Sequence, residues 1–279
     1  MTTTLRPTGP EEDTPGGGRA RGFELRVNGR RVGELRLATE PRAGVGRVER
    51  LTVDAADRRR GRGTVAALAA EEVLRDWGCA AVEVAVDAEA PAAAALAGTL
   101  GYRERSRNMV KPLVERPPAL PSGSTTRAMT DEEYPAWRAG DRDEVVHSLT
   151  TRAVPEAVAV AAADRAHATR LPDGPATKDA WLRVLAHDGL DVGTLWVATA
   201  AGLPADLGAD HWVFAVAVAE EHRGRGHGRS LMGEAERLVG AAGGRVLGLN
   251  VYADNTPALR LYESLGYRTV RHHLYKPLR

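Results

Sequence analysis

The sequence predicts two mixed α/β (α+β) domains in tandem, and three observations predict them. Residues 48–113 align without a gap with 213–278, at a constant offset of 165 (213 − 48), and twenty of the aligned positions are identical, including the tripeptide KPL at 111–113 and 276–278. A repeat of this length is a duplicated domain, because solenoid repeats recur every ~20–50 residues. In both copies strand-like runs alternate with helical ones. In both, a glycine-rich turn joins an apolar run to a helix: LTV (51–53) leads to DRRRGRGTV (57–65), and VFAVAVA (213–219) leads to EEHRGRGHGRSLM (220–232).

The elements follow in chain order. Residues 1–22 are polar, contain no apolar run of the signal-peptide kind, and read as a flexible segment. Residues 23–114 hold the first copy, ERPPALPSGS (115–124) is a Pro/Ser/Gly linker, and 125–279 hold the second copy. Each copy reads strand, strand, strand, helix, strand, helix, strand. In the second these are 181–187, 191–199, 211–219, a helix over 225–242, a strand over 245–251, a helix over 256–266 and a strand over 267–275. The run 213–219 is apolar at nearly every position, as in a sheet centre covered on both faces. Two helical segments, 130–149 and 155–171, stand ahead of the second copy's first hairpin. The first copy has only the stretch 7–22 in their place.

Bulk properties exclude several classes. With 38 basic and 37 acidic residues the net charge is +1, which offers no general attraction for nucleic acid or an anionic membrane. No stretch approaches the ~20 apolar residues of a membrane span. Cys79 is the sole cysteine, so neither an intrachain disulfide nor a Cys-based zinc site is available. His272 and His273 are neighbours on a strand and point to opposite faces, so no metal is expected there. The Arg- and Ala-rich composition suggests a high-GC bacterial genome, and the polar start and lack of an apolar span make a cytoplasmic protein the expectation, as a monomer or homodimer.

A glycine-rich turn entering a helix aims successive backbone N–H groups at one point and removes the side chains that would keep a bulky anion away. Phosphate is the natural ligand, with the helix N-terminus and Arg223, Arg225 and His227 adding positive charge and donors. The pattern is neither GxxxxGK[ST] nor GxGxxG. It is RxxGxG, at Arg223–Gly228 and again at Arg58–Gly63.

VAVAEEHRGRGHGRSLM resembles the pyrophosphate-binding motif of the GNAT superfamily of acyl-CoA-dependent N-acetyltransferases. NTPALRLYESLGY (255–267) resembles that family's later NxxAxxLYxxxGY motif. The resemblance covers 125–279 and the core of the first copy, 23–113. It implies in each copy a mostly antiparallel mixed sheet whose two central parallel strands splay apart, flanked by helices. It implies acetyl-CoA as cosubstrate, held by the amides of Val216 and Val218, by the loop Arg223, Gly224, Arg225, Gly226, His227, Gly228 and Arg229, and by Asn250 and Asn255. Tyr262 is then the general acid, since a phenol of pKa ~10 is protonated at neutral pH and can donate to a thiolate whose conjugate acid lies near ~8.5. No carboxylate lies inside the strands where some relatives carry their base. Glu220, Glu221, Asp210, His211, Glu132, Glu133, Tyr134 and a water relay stay open.

The first copy keeps Arg58, Gly61, Arg62 and Gly63, a possible second CoA site, but has Ala97 at the place of Tyr262 and Ala90 at that of Asn255. It is expected to be catalytically silent, while residues 125–279 contain every motif the chemistry needs. The resulting expectation is acetyl transfer to a primary amine of a small molecule, by direct attack in a ternary complex. Acetylation of a protein or peptide amine, and a non-catalytic acyl-CoA sensor, are the alternatives.

Overall fold

In the computed structural model, residues 3–14, 17–40, 44–113, 117, 119–152 and 154–278 are described. The chain divides into two compact units, one running to Arg107 and completed by the chain from Arg271 onward, the other Asn108–Val270.

The first unit contains β1 (Thr3–Pro7), β2 (Glu12–Thr14), β3 (Gly18–Val27), β4 (Arg30–Glu40), β5 (Val45–Val53), α1 (Arg62–Asp76), β6 (Ala81–Asp87) and α2 (Pro91–Thr99), followed by the start of β7 (Arg103–Pro112). The second contains the rest of β7, β8 (Ser124–Ala128), α3 (Tyr134–Thr150), α4 (Glu156–Arg170), β9 (Ala180–His187), β10 (Leu190–Thr199), β11 (His211–Val218), α5 (His227–Ala241), β12 (Val246–Tyr252), α6 (Thr256–Ser264) and the start of β13 (Arg268–Pro277). Within each unit the neighbouring strands pair antiparallel, except at one parallel pair, β5 with β6 and β11 with β12. This is the mixed α/β fold expected of each copy.

The core of the second unit forms where one face of α5 (Leu231, Met232, Ala235, Val239) meets Val197, Val213, Leu247 and Leu249. In the first unit Ala70 and Leu74 of α1 do the same against Leu35, Leu37 and Val82. Burying each such Leu or Val contributes roughly 1.5–3 kcal/mol.

Two sequence expectations are corrected. Residues 1–22 are not a flexible segment throughout, for β1 pairs with β3 in register from Thr3↔Val27 to Pro7↔Phe23. The reason is Leu5, which packs on both apolar clusters of the first unit. The chain boundaries 23–114 and 125–279 mark the copies but not the compact units. Residues 271–277 of β13 pair with β6 inside the first unit, and residues from Asn108 onward belong to the second. Equivalent lysines follow the exchange: Lys276 Nζ lies 2.7 and 2.9 Å from the carboxylate oxygens of Glu71, and Lys111 Nζ 2.7 Å from both oxygens of Glu236. Of the expected linker, residues 115, 116 and 118 lie outside the described residues, while Leu120 packs on the second core and Ser124 opens β8.

Among the described residues no helix is long and apolar enough to cross a membrane. None of their His, Cys, Asp and Glu side chains gather in threes to hold a metal ion.

Candidate active site

At the end of β11 the backbone makes a single 3-10 turn over Glu220–His222 and enters α5 through Gly224 (φ +77°) and Gly226 (φ +88°). Both lie in the left-handed region, where an L side chain costs roughly 1–2 kcal/mol. A Cβ on Gly226 would meet nothing within 4 Å, so this glycine shapes the turn and leaves its outer side open. Gly228 does something else: a Cβ there would sit 3.1 Å from Leu261 Cδ2, so its absence lets α5 pack against α6. The amides of Gly224 through Arg229 have no acceptor among the described residues. With the positive end of the α5 dipole behind them they form a cradle that fits a pyrophosphate.

The loop side chains separate into distinct jobs. Arg223 Nε donates to Val218 O at 3.1 Å, closing the loop onto the strand that feeds it. Arg229 donates to Ser264 Oγ at 2.6 Å, tying α5 to α6. Arg225 is exposed. His227 is buried, its ring 5.0 Å from that of His187 and its Nε2 without a partner among the described residues. Burial, then the nearby His187, His222 and Arg225, hold its pKa below the usual imidazole value.

Beside the loop the two parallel strands part. β11 pairs with β12 only at His211↔Leu247, Trp212↔Gly248 and Val213↔Leu249, yet β11 continues to Val218 and β12 to Tyr252. A bulge at Phe214, opposite Trp196 and Val197, marks the point of divergence. Ala219 N donates to Val192 O on the β10 side. By alternation the amides of Val216 and Val218 face the opposite side, into the gap. Asn255 caps α6, its Oδ1 accepting from Ala258 N at 3.2 Å, and Asn250 Nδ2 donates to Asn108 Oδ1 at 2.7 Å. Tyr262 is 6% exposed, its ring edge-on to Tyr267 at 5.9 Å, and its hydroxyl bonds to no described residue. Burial pushes the phenol up to about 12.

The fold and the family pattern are found in known proteins. The model of the acetyltransferase (GNAT) family matches residues 6–102 and 158–267. The chain belongs to the GNAT acetyltransferase family. It is an acyltransferase with tandem domains, and its family implies acyl-CoA as cosubstrate. Among solved structures it is similar to a tandem GNAT protein from the clavulanic acid biosynthesis pathway, at 22% identity and TM-score 0.55, over 96% of this chain and 85% of that one. A GCN5-related N-acetyltransferase from Sphaerobacter thermophilus shows 21% identity and TM-score 0.59 over 92% and 81%. Another from Kribbella flavida shows 18% and 0.53 over 88% of each. At these identities the likeness is one of fold. No match is found among the curated proteins.

The side chains weighed as a GNAT base are mostly engaged elsewhere. Asp210 accepts from Arg245 N (2.6 Å) and Val246 N (2.9 Å), which lowers its pKa and fastens the start of β12. His211 is buried against Trp181, and burial lowers it. Glu133 is bound by Arg127 and by Thr130 N, which hold its pKa down to about 2. Tyr134 stacks on Trp137 and is raised by burial. Glu220 and Glu221 sit exposed on the turn, and Glu132 is exposed ahead of α3.

Two features of the front helices were invisible in the sequence. Arg152 lies 2.7 Å from both carboxylate oxygens of Asp254 and 3.8 Å above the Tyr252 ring, pinning the α3–α4 turn to the end of β12. His167 Nε2 meets Asp141 Oδ2 at 2.8 Å, in a buried aromatic group with Trp137 and Trp196 that reaches Phe214 at the bulge. Both pairs are far apart in sequence and match no motif, so only a spatial signal finds them.

The first unit repeats the frame with other contents. Arg58 Nε donates to Val53 O at 2.8 Å, Gly61 adopts φ +73°, and a Cβ on Gly63 would sit 3.3 Å from Leu96. Arg62, at the place of His227, is turned inward to Asp57 at 3.3 Å, and Arg30 completes that cluster at 2.7 Å. Arg62 is therefore part of a buried ion cluster rather than an exposed phosphate ligand.

Proposed function

We propose that the second unit transfers an acetyl group from acetyl-CoA to the primary amine of a small molecule. Acetyl-CoA, when bound, supplies the acetyl group as a thioester. The amides of Gly224 to Arg229 hold its phosphates at the N-terminus of α5. The amides of Val216 and Val218 align the arm in the gap and offer donors where negative charge grows on the acyl oxygen. The amine attacks the thioester carbonyl, the C–N bond forms and the C–S bond breaks. Tyr262, protonated throughout the neutral range, gives its Oη proton to the departing sulfur, and the proton the amine loses passes to solvent, from which the phenol is restored. The front helices, pinned by Arg152, supply a wall for the acceptor that the first unit lacks.

The observation that carries this reading is Tyr262, a residue only 6% exposed whose hydroxyl bonds to no described residue, in a unit with an open phosphate cradle and parted strands. The test is acetyl-CoA-dependent thiol release against a panel of small amines, with parent and Tyr262→Phe. A lost general acid should lower the rate ~10²–10⁴-fold with CoA affinity kept. Undiminished turnover, with the chemical step limiting, would remove Tyr262 from this role. Release with peptide amines alone would move the acceptor to the protein class.

A further inference from the structure

A groove lies in the first unit, where chemistry is not expected. It encloses about 890 Å³ between the parted ends of β5 and β6 and α2, and it includes the loop residues Gly61 and Gly63. β5 and β6 pair only as far as Val48↔Val84, while β5 runs on to Val53 and β6 to Asp87. The same geometry that receives the pantetheine arm in the second unit is thus repeated. The contents at its inner end differ. Ala97 is where Tyr262 puts a phenol, and Ala90 is where Asn255 puts an amide. The walls there are apolar, with Leu51, Val84, Val86, Ala93 and Leu96 beside Ala97. In front stand the short strands β1 and β2, and among the described residues no pair of helices takes the place of an acceptor wall.

We propose that the first unit is a non-catalytic binding site for a CoA thioester with an acyl chain longer than acetyl. The chain lies against the alanines in the space a tyrosine would fill, and the loop of Gly61 and Gly63 holds the phosphates. The proposal rests on the acyl-CoA reading of the family, applied to a unit that has lost its acid. Each methylene withdrawn from water into such a groove is favourable, so affinity rises with chain length until the groove is full. Without a phenol at position 97 the counterpart of Tyr262 is missing, although Tyr102 also lines the groove, and the thioester stays intact.

Calorimetric titration of the full-length protein tests this. The variant Gly226→Glu disables the second cradle, and acetyl-CoA and octanoyl-CoA are the probes. One site per chain should remain, and it should bind octanoyl-CoA at least about tenfold more tightly than acetyl-CoA. Adding Ala97→Tyr, or Ala93→Leu where the tyrosine variant misfolds, should erase that preference. Adding Gly61→Glu should remove the site. No residual site, or equal affinity for the two thioesters, overturns the proposal even when the parent protein releases thiol. A parent protein that binds neither thioester overturns the acetyl-transfer reading as well.

Discussion

At the residue scale, equivalent positions of the two glycine loops serve different ends. Arg58 and Arg223 each spend Nε on the last carbonyl of the preceding strand, so they shape the loop before any ligand arrives. One residue into the helix, Arg62 is neutralised by Asp57, whereas His227 is buried among other basic groups. Its folded pKa lies below the ordinary imidazole value of about 6.5. An unfolded chain therefore binds the proton first. The contribution of a neutral His227 to stability is complete above about pH 6.5 and declines as pH falls through the folded value. His227→Gln should be less sensitive than the parent to acidification from about pH 7.5 to 5.5, read as the drop in Tm. An identical acid slope in parent and variant would show that this histidine carries no proton-linked strain.

At the element scale, Gly226 and Gly228 make separable predictions. Gly226→Ala forces an L residue to φ +88° and should destabilise the loop by roughly 1–2 kcal/mol while weakening CoA binding. Gly228→Ala places a methyl 3.1 Å from Leu261, one residue before Tyr262. It should displace α6, lowering kcat more than CoA affinity. Calorimetry together with thiol-release kinetics distinguishes the two. Equal effects of both changes on both parameters would contradict the assigned roles. Sequence spacing marked both glycines as loop residues but could not tell curvature from packing, because which way a missing Cβ would point depends on α6.

On the scale of the whole molecule, the closing strand of each copy ends in the unit built from the other. Residues 125–279 contain the chemistry motifs but not Asn108–Pro112, which belong to the second unit, nor Lys111, the partner of Glu236. Holding the motifs is therefore not enough for this segment to complete its unit. A chain of 125–279 should be poorly folded by circular dichroism and inactive, and adding residues 1–124 as a separate polypeptide should restore activity. Full activity of the fragment alone would overturn this. Lys111→Ala strands the Glu236 carboxylate, whose side chain is only 4% exposed. The loss should be roughly 2–4 kcal/mol, at the low side of a broken buried pair because the lysine is partly solvated. Denaturant unfolding measures it, and Glu236→Gln combined with Lys111→Met should recover most of the difference.

Local information in the sequence determined the duplication, the order of strands and helices, the RxxGxG turn and the tyrosine of α6, because periodicity, glycine placement and motif spacing act over a few residues. Tertiary structure alone decided which units the closing strands complete, that β1 forms, that Arg62 and His227 turn inward, and that Asp210 and Glu133 are already bonded. Those outcomes depend on partners distant in the chain. Lys276 finds Glu71, Arg152 finds Asp254 and Leu5 finds the first core through the packing of whole elements, and no short-range pattern encodes such meetings.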